Sequence, residues 1–366
     1  MDKKINIIIA GGGTGGHLIP AFALADAFAR KKTCSKIRFM GSENGIESSL
    51  YKTRPEKYDL LKTVGLKRGF GLKELVHNLF FFPYKFIHSA IKAYMVFNKF
   101  RPDIVIGTGG YSSAIPLFIA LLKGVKIVIQ EQNSIPGLVN KIFIKKAEKV
   151  FFGFEPKESE NINYIVSGNP TISKKYDASA ESVKKDSMPF TIFILGGSQG
   201  SLPINNHFLN HYKDYVKNGI RLIWQCGENN LQLIKQQIQS KYVELYGFID
   251  EIGKYYIDSD LIISRSGALT LTEISNYGKA SILIPYPFAS NNHQLSNANF
   301  YKSRGACDIV EQNQLKNGLL EKKVQDIINN RLIIEKMEKK MSLLSKPNAS
   351  ENIVKEIFKI CSIKAK

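Results

Sequence analysis

The chain makes the same move twice. Ile5-Asn6-Ile7-Ile8-Ile9-Ala10 runs into Gly11-Gly12-Gly13-Thr14-Gly15-Gly16, and much later Thr191-Ile192-Phe193-Ile194-Leu195 runs into Gly196-Gly197-Ser198-Gln199-Gly200. A short, nearly unbroken apolar run suits a strand covered on both faces. A glycine turn that leads from it into a helix is the opening unit of a doubly wound parallel sheet. Two openings predict two such sheets. Further β-rich runs at 37–40, 104–106, 125–129, 221–225, 261–264 and 280–284 alternate with helical patterns such as 21–30 and 229–239, which sets the class as α/β. The 366 residues, 44% of them hydrophobic, are enough for two cores at roughly 150 residues per domain. A polar stretch at 176–189 reads as a surface loop, and the boundary is expected near Gly168-Asn169-Pro170. The domains are then 1–167 and 168–347, with the amphipathic C-terminal segment 348–366 packing back on the first. Ligands of such sheets lie beyond the carboxyl ends of the strands, so two facing Rossmann-like domains imply a cleft.

Composition narrows the chemistry. The four cysteines, Cys34, Cys226, Cys307 and Cys361, are far apart with no CxxC pair, which fits neither a zinc framework nor a disulfide one and points to a reducing compartment. No run approaches the roughly 20 uncharged apolar residues of a membrane span. The start, Met1-Asp2-Lys3-Lys4, leads directly into a strand and does not read as a signal peptide, so a cytoplasmic protein is expected. The formal charge of +19 is uneven: residues 1–150 hold 24 basic against 10 acidic side chains, the remainder 27 against 22. A basic first half suits an anionic partner, whether phosphorylated substrate, nucleic acid or acidic membrane surface.

A glycine turn feeding a helix aims backbone N–H groups outward at the positive end of the helix dipole, which makes an anion site. Gly11, Gly13 and Gly16 satisfy the dinucleotide GxGxxG spacing, but the second strand ends Arg38-Phe39-Met40-Gly41 without the acid that a ribose would need. His17-Leu18 stand where a P-loop has Lys and Ser/Thr, which argues against an NTPase. Gly196–Gly200 also matches the GxSxG nucleophile elbow, with Asp260 and His293 following in order, so a serine hydrolase is the rival class. Asp258-Ser259-Asp260 resembles a DxD metal motif but reads better as an acidic helix-to-strand corner. His207 and His211 have i, i+4 spacing, yet Phe208 replaces the glutamate of HExxH and excludes that metalloprotease motif.

Taken in order, Gly11–His17, Gly107-Thr108-Gly109-Gly110-Tyr111, Glu131-Gln132-Asn133, Gly168-Asn169-Pro170, Gly196–Gly200, 265–273 and His293-Gln294 with Asn297-Ala298 resemble the peptidoglycan N-acetylglucosaminyltransferases (the MurG family, glycosyltransferase family 28) across nearly the whole chain. The resemblance implies a GT-B fold, an inverting single displacement and no cofactor or metal. It implies transfer of N-acetylglucosamine from UDP-N-acetylglucosamine to the muramoyl 4-hydroxyl of the undecaprenyl-linked acceptor (lipid I), giving lipid II for peptidoglycan. The partners are then these two substrates and an anionic membrane surface, with no nucleic acid, and the location is peripheral on the cytoplasmic face of the bacterial plasma membrane.

By resemblance, Thr14, Gly15 and Gly16 belong to the substrate loop, Asn133 and Gln294 bind the donor and Ile249 lines the uracil pocket. Asn297 is a further candidate. Ser198 and the run Ala268, Leu269, Thr270, Leu271 and Thr272 supply N–H dipoles to the leaving diphosphate, and Glu273 accepts both ribose hydroxyls. His17, beside the first glycine loop, has two readings: general base toward the acceptor hydroxyl, or phosphate donor that takes no proton. The family commonly carries a donor-binding arginine where this chain has Ile172; either Lys174 or Lys175 reaches the same phosphates, or the helix dipoles suffice.

Membrane docking is expected at 75–97. There Phe86, Ala90, Ala93 and Phe97 recur at helical spacing as core, leaving Leu79, Phe80, Phe81 and Phe82 in excess before Pro83. Arg68, Lys73, Lys85, Lys92, Lys99 and Arg101 flank them. An interfacial patch on anionic lipid and a set of wholly buried phenylalanines are the two readings.

Overall fold

The computed structural model describes residues 4–31, 35–63, 81–156, 162–172 and 189–362. The chain divides into two compact units, Met1–Ile172 with Asn348–Lys366, and Ser173–Pro347.

The first unit is a seven-stranded parallel sheet built from β1 (Asn6–Gly11), β2 (Lys36–Ser42), β3 (Lys57–Leu61), β4 (Ile104–Gly109), β5 (Lys126–Glu131), β6 (Lys149–Phe152) and β7 (Tyr164–Val166), in the order β3-β2-β1-β4-β5-β6-β7. Side chains alternate between faces along a strand, and here both faces are covered. Ile7 and Ile9 of β1 join Leu24 and Phe28 of the Gly15–Arg30 helix in one core. Ile8 and Ala10 join Ala93, Phe97 and Leu117 in the other. This double burial is why β1 reads as an apolar run rather than an alternating one.

The Ala349–Ser362 helix lies on the first core. Ile353, Val354 and Ile357 are buried there, Phe358 meets Phe28 edge to face at 5.7 Å, and Glu356 pairs with Lys149 at 3.0 Å.

The second unit is a six-stranded parallel sheet of β8 (Thr191–Leu195), β9 (Arg221–Gln225), β10 (Val243–Tyr246), β11 (Leu261–Ser264), β12 (Ser281–Leu283) and β13 (Asp308–Ile309), in the order β10-β9-β8-β11-β12-β13. Ile192, Ile194, Trp224 and Ile263 fill one face, while Phe193 packs on Tyr255 and Tyr256 on the other.

The first helix departs from expectation. It begins at Gly15, not near residue 21, and runs through Pro20. The missing N–H of Pro20 removes a single bond so close to the start. In return the free first-turn N–H groups lie on the glycine loop itself.

Candidate active site

In the first unit all strands are parallel, so the turns that follow β1, β2, β4 and β5 open on one edge of the sheet. The order reverses between β1 and β4, and the two glycine loops follow those two strands. Gly12 N–H donates to the Gly109 carbonyl at 3.4 Å. Gly109 and Gly110 hold φ of 101° and 78°, and a Cβ at Gly109 would stand 2.8 Å from His17 Nδ1. Only glycine lets the loops close on each other and on the imidazole. Thr14 is the exposed, extended N-cap, and Gly15 and Gly16 open the helix with N–H groups that no intrahelical carbonyl accepts.

His17 is half-buried, and its Nδ1 lies 3.1 Å from the Thr108 carbonyl and 2.9 Å from Gln132 Oε1. Both are acceptors, which assigns the ring proton to Nδ1 and a lone pair to Nε2. Gln132 is oriented in turn, since its side-chain nitrogen donates to the Thr108 carbonyl at 2.8 Å, while its backbone carbonyl accepts from the Asn169 side chain at 3.1 Å. Gln130, Gln132 and Asn169 are all buried, so this chain of amides holds the imidazole from behind. Asn133 stands on the turn after β5 with its backbone N–H on Glu131 Oε1 at 2.9 Å; the other Glu131 oxygen accepts from Asn140 at 2.8 Å.

The loops also rest on a residue without a motif. Buried Glu47 accepts from Gly13 N–H at 2.8 Å and Ser42 N–H at 2.7 Å, tying the first glycine loop to the end of β2.

In the second unit the turns after β8, β10, β11 and β12 likewise share one edge. Ser198 is exposed in a turn whose Gly197 and Gly200 hold φ of 86° and 77°. Ile249 is half-buried in the turn after β10. The Ala268–Asn276 helix starts behind Gly267 after β11, and Leu269 and Thr270 present its first turn. Leu271 is fully buried and the Thr272 hydroxyl donates to the Ala268 carbonyl at 2.8 Å, so their side chains face the fold. Gln294 Oε1 accepts from Tyr286 N–H at 2.9 Å, and the Gln294 carbonyl accepts from the Ser266 hydroxyl at 2.8 Å. Asn297 donates to the Ser266 carbonyl at 3.4 Å. Two helix starts are thereby joined behind β11.

Glu273 is half-buried and accepts from Tyr256 OH at 3.0 Å. Removal from water pushes its carboxyl up to about 7, against the smaller downward pull of that hydrogen bond.

Arg265 opens the 265–273 run, and the motif by itself gives it no role. It is buried, and its guanidinium donates to Ser201 Oγ at 2.7 Å, Gln312 Oε1 at 2.6 Å and the carbonyls of Ile284 and Pro285. All four acceptors are neutral, and burial lowers its pKa to about 10. A cation thus stands behind the carboxyl edge of this sheet with its charge uncompensated by those partners.

The serine hydrolase reading fails on geometry. Asp260 Oδ2 accepts the backbone N–H of Thr191 at 2.7 Å, at the amino end of β8, while Ser198 follows its carboxyl end. Five extended residues separate the two by about 16 Å, beyond any triad. The same bond identifies Asp258-Ser259-Asp260 as a strand-entry corner and not a metal motif. Ile172 is exposed, and Lys174 and Lys175 lie outside the described residues.

Residues 7–152 match the glycosyltransferase family 28 N-terminal domain and residues 191–355 its C-terminal domain. The UDP-N-acetylglucosamine--N-acetylmuramyl-(pentapeptide) pyrophosphoryl-undecaprenol N-acetylglucosamine transferase of Flavobacterium psychrophilum is 33% identical over 368 residues, 98% of each chain. The chain belongs to glycosyltransferase family 28. A second relative of the same description, from Chlorobium phaeobacteroides, is 34% identical over 97% of this chain and 99% of its own. Among solved structures, Acinetobacter baumannii MurG superposes with a TM-score of 0.77 at 24% identity, covering 98% of this chain and 100% of that one. The two Rossmann-like sheets are those of the GT-B class.

Within this family the missed residues acquire meaning. Thr108, Gln132 and Asn169 all stand in motifs visible in the sequence, but nothing in a motif says that Gln132, rather than its neighbour Asn133, is the one that touches His17. Glu47 carries charge at a site that only the folded chain brings to the loop, and Arg265 has its partners on three other segments.

Proposed function

We propose that the protein transfers N-acetylglucosamine from UDP-N-acetylglucosamine to the 4-hydroxyl of the muramoyl sugar of lipid I, forming lipid II. The observation that supports this reading is a family 28 chain in which His17 on the first unit has its proton held on Nδ1, and the second unit carries helix N-termini open at the carboxyl edge of its sheet. Nε2 of His17 takes the proton of the attacking hydroxyl. The hydroxyl oxygen bonds to the anomeric carbon as the bond from that carbon to the diphosphate oxygen breaks, and UDP leaves with the electron pair. Inversion follows from a single displacement.

Charge develops on the leaving diphosphate. It is met by the first-turn N–H groups of the Ala268–Asn276 helix, the Ser198 turn and the positive field of Arg265. Ionised Glu273 accepts the ribose hydroxyls, and Ile249 lies against uracil. The Gln132–Thr108 pair fixes the tautomer of His17 and is a positioning device.

The acceptor's lipid requires the first unit to sit at a membrane, and the Phe82–Phe100 helix supports that role. Ala93 and Phe97 are buried, with Phe86 and Ala90 partly so, as the core stripe requires. On the same helix Tyr84, Ile87, Ile91 and Met95 are more than half exposed, as is Phe81 just before it. These positions recur at helical spacing, and Leu122 of the neighbouring Ala114–Leu122 helix is exposed too. An apolar stripe facing water, within a basic half of the chain, suits the headgroup region of anionic lipid. Phe82 is half-buried and Phe81 exposed, which removes the wholly buried reading for Phe81; Leu79, Phe80, Arg68 and Lys73 lie outside the described residues.

Calorimetric titration with UDP-N-acetylglucosamine tests the donor assignment. Saturable binding that UDP competes away supports it; binding of NAD in its place, or no binding of the nucleotide sugar, overturns it.

A further inference from the structure

The helices Leu202–Lys217 and Leu319–Asn329 meet at three side chains that the transfer reaction does not use. His207 and His211, one turn apart, project from the same face of the first helix with their rings stacked at 4.7 Å. Glu321 comes from the first turn of the second. Its Oε1 lies 3.5 Å from His207 Nε2 and 3.3 Å from His211 Nδ1.

The hydrogen bonding leaves this cluster short of a cation. His207 Nδ1 lies 3.2 Å from the Leu315 carbonyl, an acceptor, which assigns the ring proton to Nδ1 and a lone pair to Nε2. That Nε2 is buried with no hydrogen-bond partner, and so are both oxygens of Glu321. A lone pair and a carboxylate thus face each other without a hydrogen bond to either. Such an arrangement asks for a positive centre, and the backing of a histidine Nδ1–H by a carbonyl is the usual support of a metal-bound imidazole.

The distances suit a small tetrahedral ion. Ligand atoms about 2.0–2.1 Å from zinc stand about 3.3 Å from one another along a tetrahedral edge. The two contacts to Glu321 Oε1 have about that length; the ligand atoms of the two imidazoles lie within 4.8 Å of each other, so the partly exposed His211 ring must turn inward to close the third edge. His207 and His211 also line a cavity of about 810 Å³ together with Asn206, Asn210 and Lys316, which gives an ion a path to the cluster from the histidine side.

We propose that His207, His211 and Glu321 bind one divalent transition-metal ion, zinc by geometry and donor set, as a clasp between these two helices of the second unit. The sequence showed the histidine pair but not its third ligand, which stands on a distant segment. The site is separate from the HExxH chemistry that Phe208 excludes.

The test uses full-length protein without an affinity tag, stripped with chelator and titrated with zinc against a chromophoric competitor. His211→Ala and Glu321→Gln are compared with the parent, and UDP affinity serves as the folding control because neither residue belongs to the donor site. One zinc per chain is expected, weakened at least tenfold by either substitution, with zinc raising the melting midpoint of the parent only. Cobalt in place of zinc should give the strong visible absorption of a four-coordinate ion in the parent and lose it in His211→Ala. No stoichiometric uptake, uptake unchanged in both variants, or a six-coordinate cobalt spectrum would overturn the proposal.

Discussion

Glu273→Gln should make the protein more stable and a worse enzyme at the same time. Removal from water raises the carboxyl from 4.5 to about 7, and at roughly 1.4 kcal/mol for each tenfold step ionising it in the fold costs at most about 3.5 kcal/mol. The raised value means that between pH 4.5 and 7 the folded chain holds more protons than the unfolded one. Its contribution to stability is therefore largest below 4.5, falls as pH rises through that window and is lost above 7. Glutamine keeps the shape and can still accept from Tyr256, but has no charge to desolvate. The variant should exceed the parent by about 2–3 kcal/mol at pH 8 and by less than about 1 kcal/mol at pH 5 in urea unfolding followed at both values. Over the same range donor affinity should fall about 10–100-fold at pH 8, as two hydrogen bonds to a charged acceptor are weakened. The parent's own donor affinity should decline below pH 7 and the variant's should not. An equal stability difference at pH 5 and pH 8 would refute the desolvation argument. Unchanged donor affinity would refute the ribose role.

Four further outcomes follow from the same structure. His17→Ala should lower turnover about 10²–10⁴-fold with little change in donor Michaelis constant, and Gln132→Leu should displace the pH–rate profile by freeing the tautomer, both read by steady-state kinetics; near-normal turnover in His17→Ala would remove the base. Arg265→Gln should weaken UDP tenfold or more while leaving uridine affinity unchanged, measured by calorimetry, and an equal loss for both ligands would make Arg265 merely structural. Ile87→Glu with Ile91→Glu should abolish flotation with anionic vesicles in a still-folded protein, and equal partitioning of parent and variant would take this helix off the membrane.

What could be read from the chain was what local pattern encodes. The runs at 191–195, 221–225 and 261–264 are strands at those bounds, and both glycine loops fall where the strand order reverses. Residues such as Phe86, Ala93 and Phe97 declared the core face of their helix, yet the opposite face carries the exposed Tyr84, Ile87, Ile91 and Met95. An apolar residue in a sequence does not say whether anything covers it. Chain order also misled, since Asp260 follows Ser198 as a triad would require but sits at the wrong end of a parallel sheet. The roles of Gln132, Arg265 and Glu321 depend on partners far along the chain, so no spacing rule could reveal them.

What happens to the sugar decides between transfer and every other use of the nucleotide sugar. Binding of the nucleotide sugar alone does not separate transfer from hydrolysis or epimerisation of that sugar. Labelled UDP-N-acetylglucosamine incubated with a lipid I analogue should yield one UDP for each new disaccharide, with the label on the muramoyl 4-oxygen and inverted at the anomeric carbon. UDP released without disaccharide, or an epimerised nucleotide sugar, would contradict it.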